Sequence, residues 1–129
     1  MDKIKVLIVD DEPDLLVLLN ESIIEWGYLP VLARCGKEAL DKIKQDPPDI
    51  VILDCMMPDM NGIEVLTQIR TFDKELPVVM FTAYPDIQNI KGAQELGVSS
   101  FVPKQNDDAL KGSLRVALGI AQKKIKNRE

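Results

Sequence analysis

The chain contains no histidine. A histidine general base, a histidine zinc ligand and a phosphohistidine are therefore excluded, and chemistry carried by its own side chains has to rest on carboxylates, hydroxyls and lysines. Cysteine is nearly as scarce: Cys35 and Cys55 are the only two, and they show neither a CxxC pair nor metal-ligand spacing. The expectation is two free thiols in a reducing compartment. No apolar run approaches the length needed to cross a bilayer. Met1-Asp2-Lys3-Ile4-Lys5 leads straight into a strand-like run with no signal-peptide core, so the chain reads as cytoplasmic and not membrane-inserted. A net positive charge is also missing. The formal charge of −5 argues against direct nucleic-acid binding, which draws on a basic field.

What is present is an alternation. The 129 residues suffice for one domain with a single core, and 46% hydrophobic with 29% charged residues is a globular balance. Short β-branched runs at Ile4 to Val9, Leu29 to Ala33, Ile50 to Leu53, Pro77 to Phe81 and Ser99 to Val102 read as strands. Each is followed by a stretch with helical spacing. The first starts at Pro13, stops at Gly27 and carries Leu15, Leu16, Leu19, Ile23 and Trp26. The second runs from about Lys37 to Gln45, with Ala39, Leu40 and Ile43 on one face, and Pro47-Pro48 ends it. The third follows Asn61-Gly62 and presents Val65, Leu66, Ile69 and Phe72. The fourth spans about Asp86 to Leu96, with Ile87, Ile90 and Ala93 as a thin apolar stripe and Gly92 inside it. The fifth starts near Asp107 and presents Leu110, Leu114, Ala117, Leu118, Ala121 and Ile125. Five strands each followed by a helix predict an α/β fold, a doubly wound parallel sheet with helices on both faces. At this size the strand order 2-1-3-4-5 is the common solution, and the site lies beyond the carboxyl ends of the strands.

The polar residues fall at that edge. The first strand ends in Asp10-Asp11-Glu12, the third in Asp54, the fourth in Thr82, and the fifth just before Lys104. With the first and third strands adjacent, Asp10, Asp11 and Asp54 converge, with Thr82 and Lys104 alongside. Clustered carboxylates repel unless a cation compensates them, and hard oxygen ligands suit Mg²⁺. A lysine ammonium and a threonine hydroxyl are donors of the kind that stabilise a transferring phosphoryl group. Without histidine, the natural acceptor is a carboxylate. Each member also has a plainer reading. Asp11 or Glu12 before Pro13 suits a helix cap, Thr82 a strand-end hydroxyl, and Lys104 a solvated surface lysine. Asp54 resists such a reading, because a charge directly after Ile50-Val51-Ile52-Leu53 is costly unless paired or liganded.

Four segments carry a family resemblance: Val-Asp-Asp-Glu-Pro at 9–13, Leu-Asp-Cys-Met-Met-Pro-Asp-Met-Asn-Gly at 53–62, Phe-Thr-Ala-Tyr at 81–84, and Phe-Val-Pro-Lys at 101–104. The chain resembles the receiver domains of two-component response regulators from about Lys3 to Ala121. The resemblance implies a flavodoxin-like (βα)5 fold and a phosphorylation-dependent signalling switch rather than an enzyme acting on other substrates. It implies that Asp54 is the phosphoryl acceptor. Asp11 and Asp54 would ligate Mg²⁺ directly, Asp10 mainly through metal-bound water, and the Met56 carbonyl would complete the protein ligands. Lys104 would pair with a phosphoryl oxygen, and Thr82 and Phe101 would be the switch pair. The donor would be a sensor histidine kinase or phosphotransfer protein. The output would pass to a downstream effector or output domain through the surface of the fourth helix, fifth strand and fifth helix, which is also a possible homodimer face. Residues 1–129 are expected to form one receiver domain, with a core of about 3–121 and a basic helical tail or linker at 122–129.

Three features depart from the family pattern. Gln105 follows Lys104 where a proline is usual, so the loop either takes a strained cis bond or presents Lys104 differently. Phe101 lacks the hydroxyl of the tyrosine often found at the switch. Met56 and Tyr84 stand two residues beyond Asp54 and Thr82, where neither can orient water as a carboxamide or acid does, which implies slow self-dephosphorylation. Glycine at position 92 lowers helix propensity by about 1 kcal/mol and predicts a weak fourth helix. Two other functions compete. A haloacid-dehalogenase-type phosphatase would also use a strand-end aspartate and Mg²⁺, but after its first strand and usually as Asp-x-Asp. A degenerate receiver would act only as a binding module.

Overall fold

The computed structural model describes residues 3–83 and 86–128, with side chains as far as Ile125. Its elements run β1 (Lys5–Val9), α1 (Pro13–Glu25), β2 (Leu29–Ala33), α2 (Gly36–Gln45), β3 (Ile50–Asp54), α3 (Gly62–Phe72), β4 (Val78–Thr82), α4 (Ile87–Glu95), β5 (Ser100–Pro103) and α5 (Asp107–Arg128). All strand pairings are parallel and the order is β2-β1-β3-β4-β5. This is the doubly wound (βα)5 sheet that the alternation predicts.

The two-residue period of the strands divides the core into two layers. Leu7 and Val9 of β1, Val51 and Leu53 of β3, and Val78 and Met80 of β4 face one side, where Ala39, Leu40 and Ile43 of α2 and Val65, Leu66 and Ile69 of α3 cover them. Val6, Ile8, Ile50, Ile52, Val79 and Phe81 face the other, beneath Leu16, Leu19 and Ile23 of α1 and Leu114, Leu118 and Ala121 of α5. β3 and β4 are buried along their whole length. A strand covered on both faces needs an unbroken apolar run, and these two have one.

Two apolar positions assigned to inner stripes lie outside. Phe72, the last residue of α3, is exposed, with the Lys44 ammonium 5.5 Å from its ring centre. Ile87, the first residue of α4, is 83% exposed. Both stand at an end of their helix, outside the two core layers. β5 also begins one residue later than expected, at Ser100.

Turns follow ordinary chemistry. Gly27 and Gly97 take positive φ after α1 and α4. Asn61 caps α3 by accepting from the Glu64 amide at 2.9 Å, and Asp86 caps α4 by accepting from Asn89 at 2.7 Å. Among the described residues no helix is long and apolar enough to cross a membrane. Cys35 and Cys55 are free thiols.

Candidate functional site

Parallel pairing brings the strand ends to one rim. Asp10 follows β1 directly, and its amide donates to the Ala33 carbonyl at 3.1 Å, which continues the β1–β2 ladder by one rung. Asp54 ends β3 opposite Phe81, and Thr82 ends β4 opposite Pro103. The Lys104 amide then donates to the Thr82 carbonyl at 2.6 Å. No cis peptide occurs among the described residues, so Lys104 is presented through a trans bond to Gln105.

Asp10, Asp54 and Thr82 are all buried. The Lys104 ammonium lies 3.1 Å from Asp10 Oδ2, 3.4 Å from Asp54 Oδ2 and 3.5 Å from Glu12 Oε1. The Phe81 ring lies beneath it, 4.8 Å from ammonium to ring centre. The other carboxylate oxygens meet backbone: the Glu12 amide donates to Asp10 Oδ1 at 2.8 Å, and the Met56 amide to Asp54 Oδ1 at 3.1 Å.

These surroundings leave the site short of positive charge. Burial, reinforced by the charge of Asp10, pushes the Asp54 carboxyl up to about 6 against the opposing pull of the Met56 amide and Lys104. Burial also raises Asp10, and the Glu12 amide and Lys104 offset this only in part. Burial pulls Lys104 down, but Asp54, Asp10 and Glu12 outweigh it, so its ammonium is held above the usual lysine range. One ammonium stands among three carboxylates.

The rim therefore gathers Asp10, Asp11, Asp54, Thr82 and Lys104. Asp11 is exposed, yet it offers an oxygen that lies with those of Asp10 and Asp54 within 4.8 Å of one another. Such a set of hard oxygens, two of them on buried and electrostatically unsatisfied acids, fits a divalent cation such as Mg²⁺. Met56 is next to the site through its backbone, while its side chain is exposed. Phe101 is half-buried on β5 opposite Met80, packed against the α2–α3 layer. Tyr84 lies outside the described residues. The capping alternative for Glu12 fails: Glu12 stands at the start of α1 without a side-chain cap bond, and its carboxylate reaches Lys104 instead. The contributions of Glu12 and Phe81 were not anticipated. Their only signal was position, each being adjacent in sequence to a rim residue.

Three comparisons converge on this arrangement. The response regulator receiver domain model matches residues 6–115. Sporulation initiation phosphotransferase F of Bacillus subtilis (strain 168) is 38% identical over 80% of this chain and 83% of its own length. The response regulator MprA of Mycolicibacterium vanbaalenii is 37% identical over 78% of this chain, which spans only 44% of that protein. Among solved structures, the response regulator TrrA of Thermotoga maritima in complex with Mg²⁺-BeF is 35% identical, covers 88% of this chain and 98% of its own, and superposes with a TM-score of 0.76. A parallel five-stranded sheet with an acidic rim, matched along 110 consecutive residues from 6 to 115, leaves one conclusion: the chain belongs to the response regulator receiver domain family, the phosphoryl-accepting switches of two-component signalling.

Proposed function

We propose that Asp54 takes the phosphoryl group, with Mg²⁺ held by Asp10, Asp11, Asp54 and the Met56 carbonyl. The supporting observation is the unequal engagement of the two buried acids. Asp10 has both oxygens in close hydrogen bonds, to the Glu12 amide at 2.8 Å and to Lys104 at 3.1 Å. Asp54 has one oxygen on the Met56 amide, and its other is 3.4 Å from Lys104. That second oxygen is the less committed nucleophile, and it sits where an ammonium meets an incoming phosphate.

In the reaction, an Asp54 oxygen attacks phosphorus, the bond from phosphorus to the donor nitrogen or acyl oxygen breaks, and a mixed anhydride forms on Asp54. A divalent cation held at the rim supplies positive charge against the phosphate oxygens. Lys104 pairs with a phosphoryl oxygen, Asp10 and Glu12 keep the ammonium charged, and Thr82 and Phe101 respond to the new group. The donor is a sensor histidine kinase or phosphotransfer protein, since this chain has no histidine. The activated surface comprises α4, β5 and α5, where Ile87, Val116 and Ile120 are exposed and available to an effector, an output domain or a second copy. Residues of about 3–121 form the receiver core. α5 continues to Arg128, and the stretch beyond the core is a basic helical tail or linker.

Incubation with Mg²⁺ and acetyl phosphate, followed by intact-mass measurement, tests the assignment. Wild type gains one phosphoryl group and Asp54→Asn gains none. Labelling of Asp54→Asn equal to wild type, or steady phosphate release with no phosphoprotein, overturns it.

A further inference from the structure

The loop that leaves Asp54 is fastened to a helix far from it in sequence. α2 has no local cap: Cys35 stands at its N-cap position without a side-chain bond to the first turn. The amides of that turn are met instead by Asp59, which lies in the loop between β3 and α3. Gly36 donates to Asp59 Oδ1 at 3.2 Å, and Lys37 donates to Asp59 Oδ2 at 3.3 Å. Two oxygens of one carboxylate on two orphan amides at a helix N-terminus is a favourable arrangement by both hydrogen bonding and dipole.

The contact is shaped on both sides. A Cβ at Gly36 would fall 2.9 Å from Val65 Cγ2 and 3.1 Å from Met60 Cβ, so any larger residue would push the loop and α3 away from the helix start. The loop is closed at its base as well, by the Cys55 amide on the Phe81 carbonyl at 3.0 Å and the Gly62 amide on the Cys55 carbonyl at 2.9 Å. Met56 lies between these anchors, and its amide holds Asp54 Oδ1.

We infer that Asp59 is a positioning residue for the reaction, fixing the Met56 backbone against the Asp54 carboxylate and the Mg²⁺ ligand set by latching their loop to the start of α2. The inference rests on the proposed reading of Met56 as a metal ligand. Removing the latch leaves every ligand in place but lets the Met56 peptide drift. The expected effect is on cation affinity and on Asp54 orientation rather than on the chemistry itself. Groups that orient metal ligands in this indirect way change affinity by roughly tenfold or more when lost.

Calorimetric Mg²⁺ titration of the full chain tests this, alongside acetyl phosphate labelling across Mg²⁺ concentrations. Asp59→Ala is expected to weaken Mg²⁺ binding roughly tenfold, with labelling largely recovered at saturating Mg²⁺. Asp59→Asn, which keeps one acceptor oxygen, is expected to fall between. The double variant Cys35→Ser, Asp59→Ala supplies α2 with a local cap. It should regain thermal stability while Mg²⁺ affinity stays low. Recovery of both would reduce Asp59 to a helix cap and overturn the inference, as would an unchanged Mg²⁺ affinity in Asp59→Ala. Absence of Mg²⁺ binding in wild type would instead remove the proposed reading beneath it.

Discussion

Replacing Asp54 by asparagine removes the proposed acceptor and, in the metal-free protein at neutral pH, should make the fold more stable. The Asp54 carboxyl is pushed up to about 6 in the folded chain, from an unfolded value of 3.8. Between those values the folded state binds more protons than the unfolded one, so stability is fully present below about pH 4 and is lost as pH rises through about 6. A difference of about two units corresponds to about 3 kcal/mol of penalty above pH 7. Asparagine removes the charge, and its carbonyl can still accept from the Met56 amide. It gives up the contact with Lys104 at 3.4 Å, but Lys104 retains Asp10 at 3.1 Å and Glu12 at 3.5 Å. The raised value already includes the attraction of Lys104, so the gain is about 3 kcal/mol, a large share of the stability of an ordinary domain. Urea unfolding of both proteins in a chelator measures it. The gap at pH 7.5 should shrink by more than half at pH 4.5, where wild-type Asp54 is mostly protonated in the folded state. Saturating Mg²⁺ should favour wild type if, as proposed, the Asp54 carboxylate is one of its ligands in the folded chain. A variant no more stable than wild type at pH 7.5 in chelator, or a gap that widens on acidification, refutes the reasoning.

Gly62→Ala forces a Cβ to within 2.6 Å of the Asp54 carbonyl oxygen and 2.8 Å of Cys55 Cα; an overpacking loss of about 1–3 kcal/mol is expected in urea unfolding, and a shift near zero would show that the rim yields easily. α4 buries only Ala93 of its nine residues, whereas its C-terminal end is gripped by Arg70, which donates to the carbonyls of Leu96 at 2.6 Å and Gly97 at 3.2 Å. Hydrogen exchange should therefore be fast from Ile90 through Ala93 relative to the middle of α1, and Arg70→Met should spread it to Leu96 and Gly97; protection of α4 equal to α1 would contradict this. Met56→Asn should shorten the lifetime of the phosphoprotein, by placing a carboxamide beside Asp54, when decay is followed by intact mass. A wild-type protein that loses its phosphoryl group faster than the variant would remove the basis for slow self-dephosphorylation.

The features legible in the sequence share a physical cause. Strands buried on both faces need continuous apolar runs, so Ile50 to Leu53 and the run before Thr82 announce themselves, and a charge directly after such a run marks the strand end. Parallel pairing then fixes the rim, because every strand end points the same way. That logic brought Asp10, Asp54, Thr82 and Lys104 together without contact information. It failed where an outcome depends on which neighbour covers a helix end. Phe72 and Ile87 satisfy a helical stripe in sequence, yet both overhang the layer and are exposed. It also missed Asp59 and Arg70. Asp59 meets backbone amides 22 and 23 residues away, and Arg70 meets backbone carbonyls from 3 to 27 residues away; backbone groups leave no side-chain pattern to read. The Lys104 loop illustrates a related limit. The missing proline raised the prospect of strain, whereas a trans bond and the Thr82 carbonyl hold the lysine in the site.

The same map shows how a charge change at Asp54 can travel. The single Lys104 ammonium is shared by two acids of the β1 end and one of the β3 end, and it directly follows β5. A phosphoryl group on Asp54 adds negative charge within reach of that ammonium, so the balance among Asp10, Glu12 and Asp54 must be redrawn. Thr82 is coupled to the same point, since its carbonyl accepts from the Lys104 amide. Phe101 lies three residues earlier on β5, half-buried and opposite Met80. α4 is held firmly at its C-terminal end by Arg70 and lightly along its length by Ala93. On the proposed reading, the sheet would carry the electrostatic event, and the lightly buried α4 beside it would be the element to respond. A switch needs that asymmetry, because a rim change of a few kcal/mol can shift an element held by a few contacts but not a strand buried on both faces.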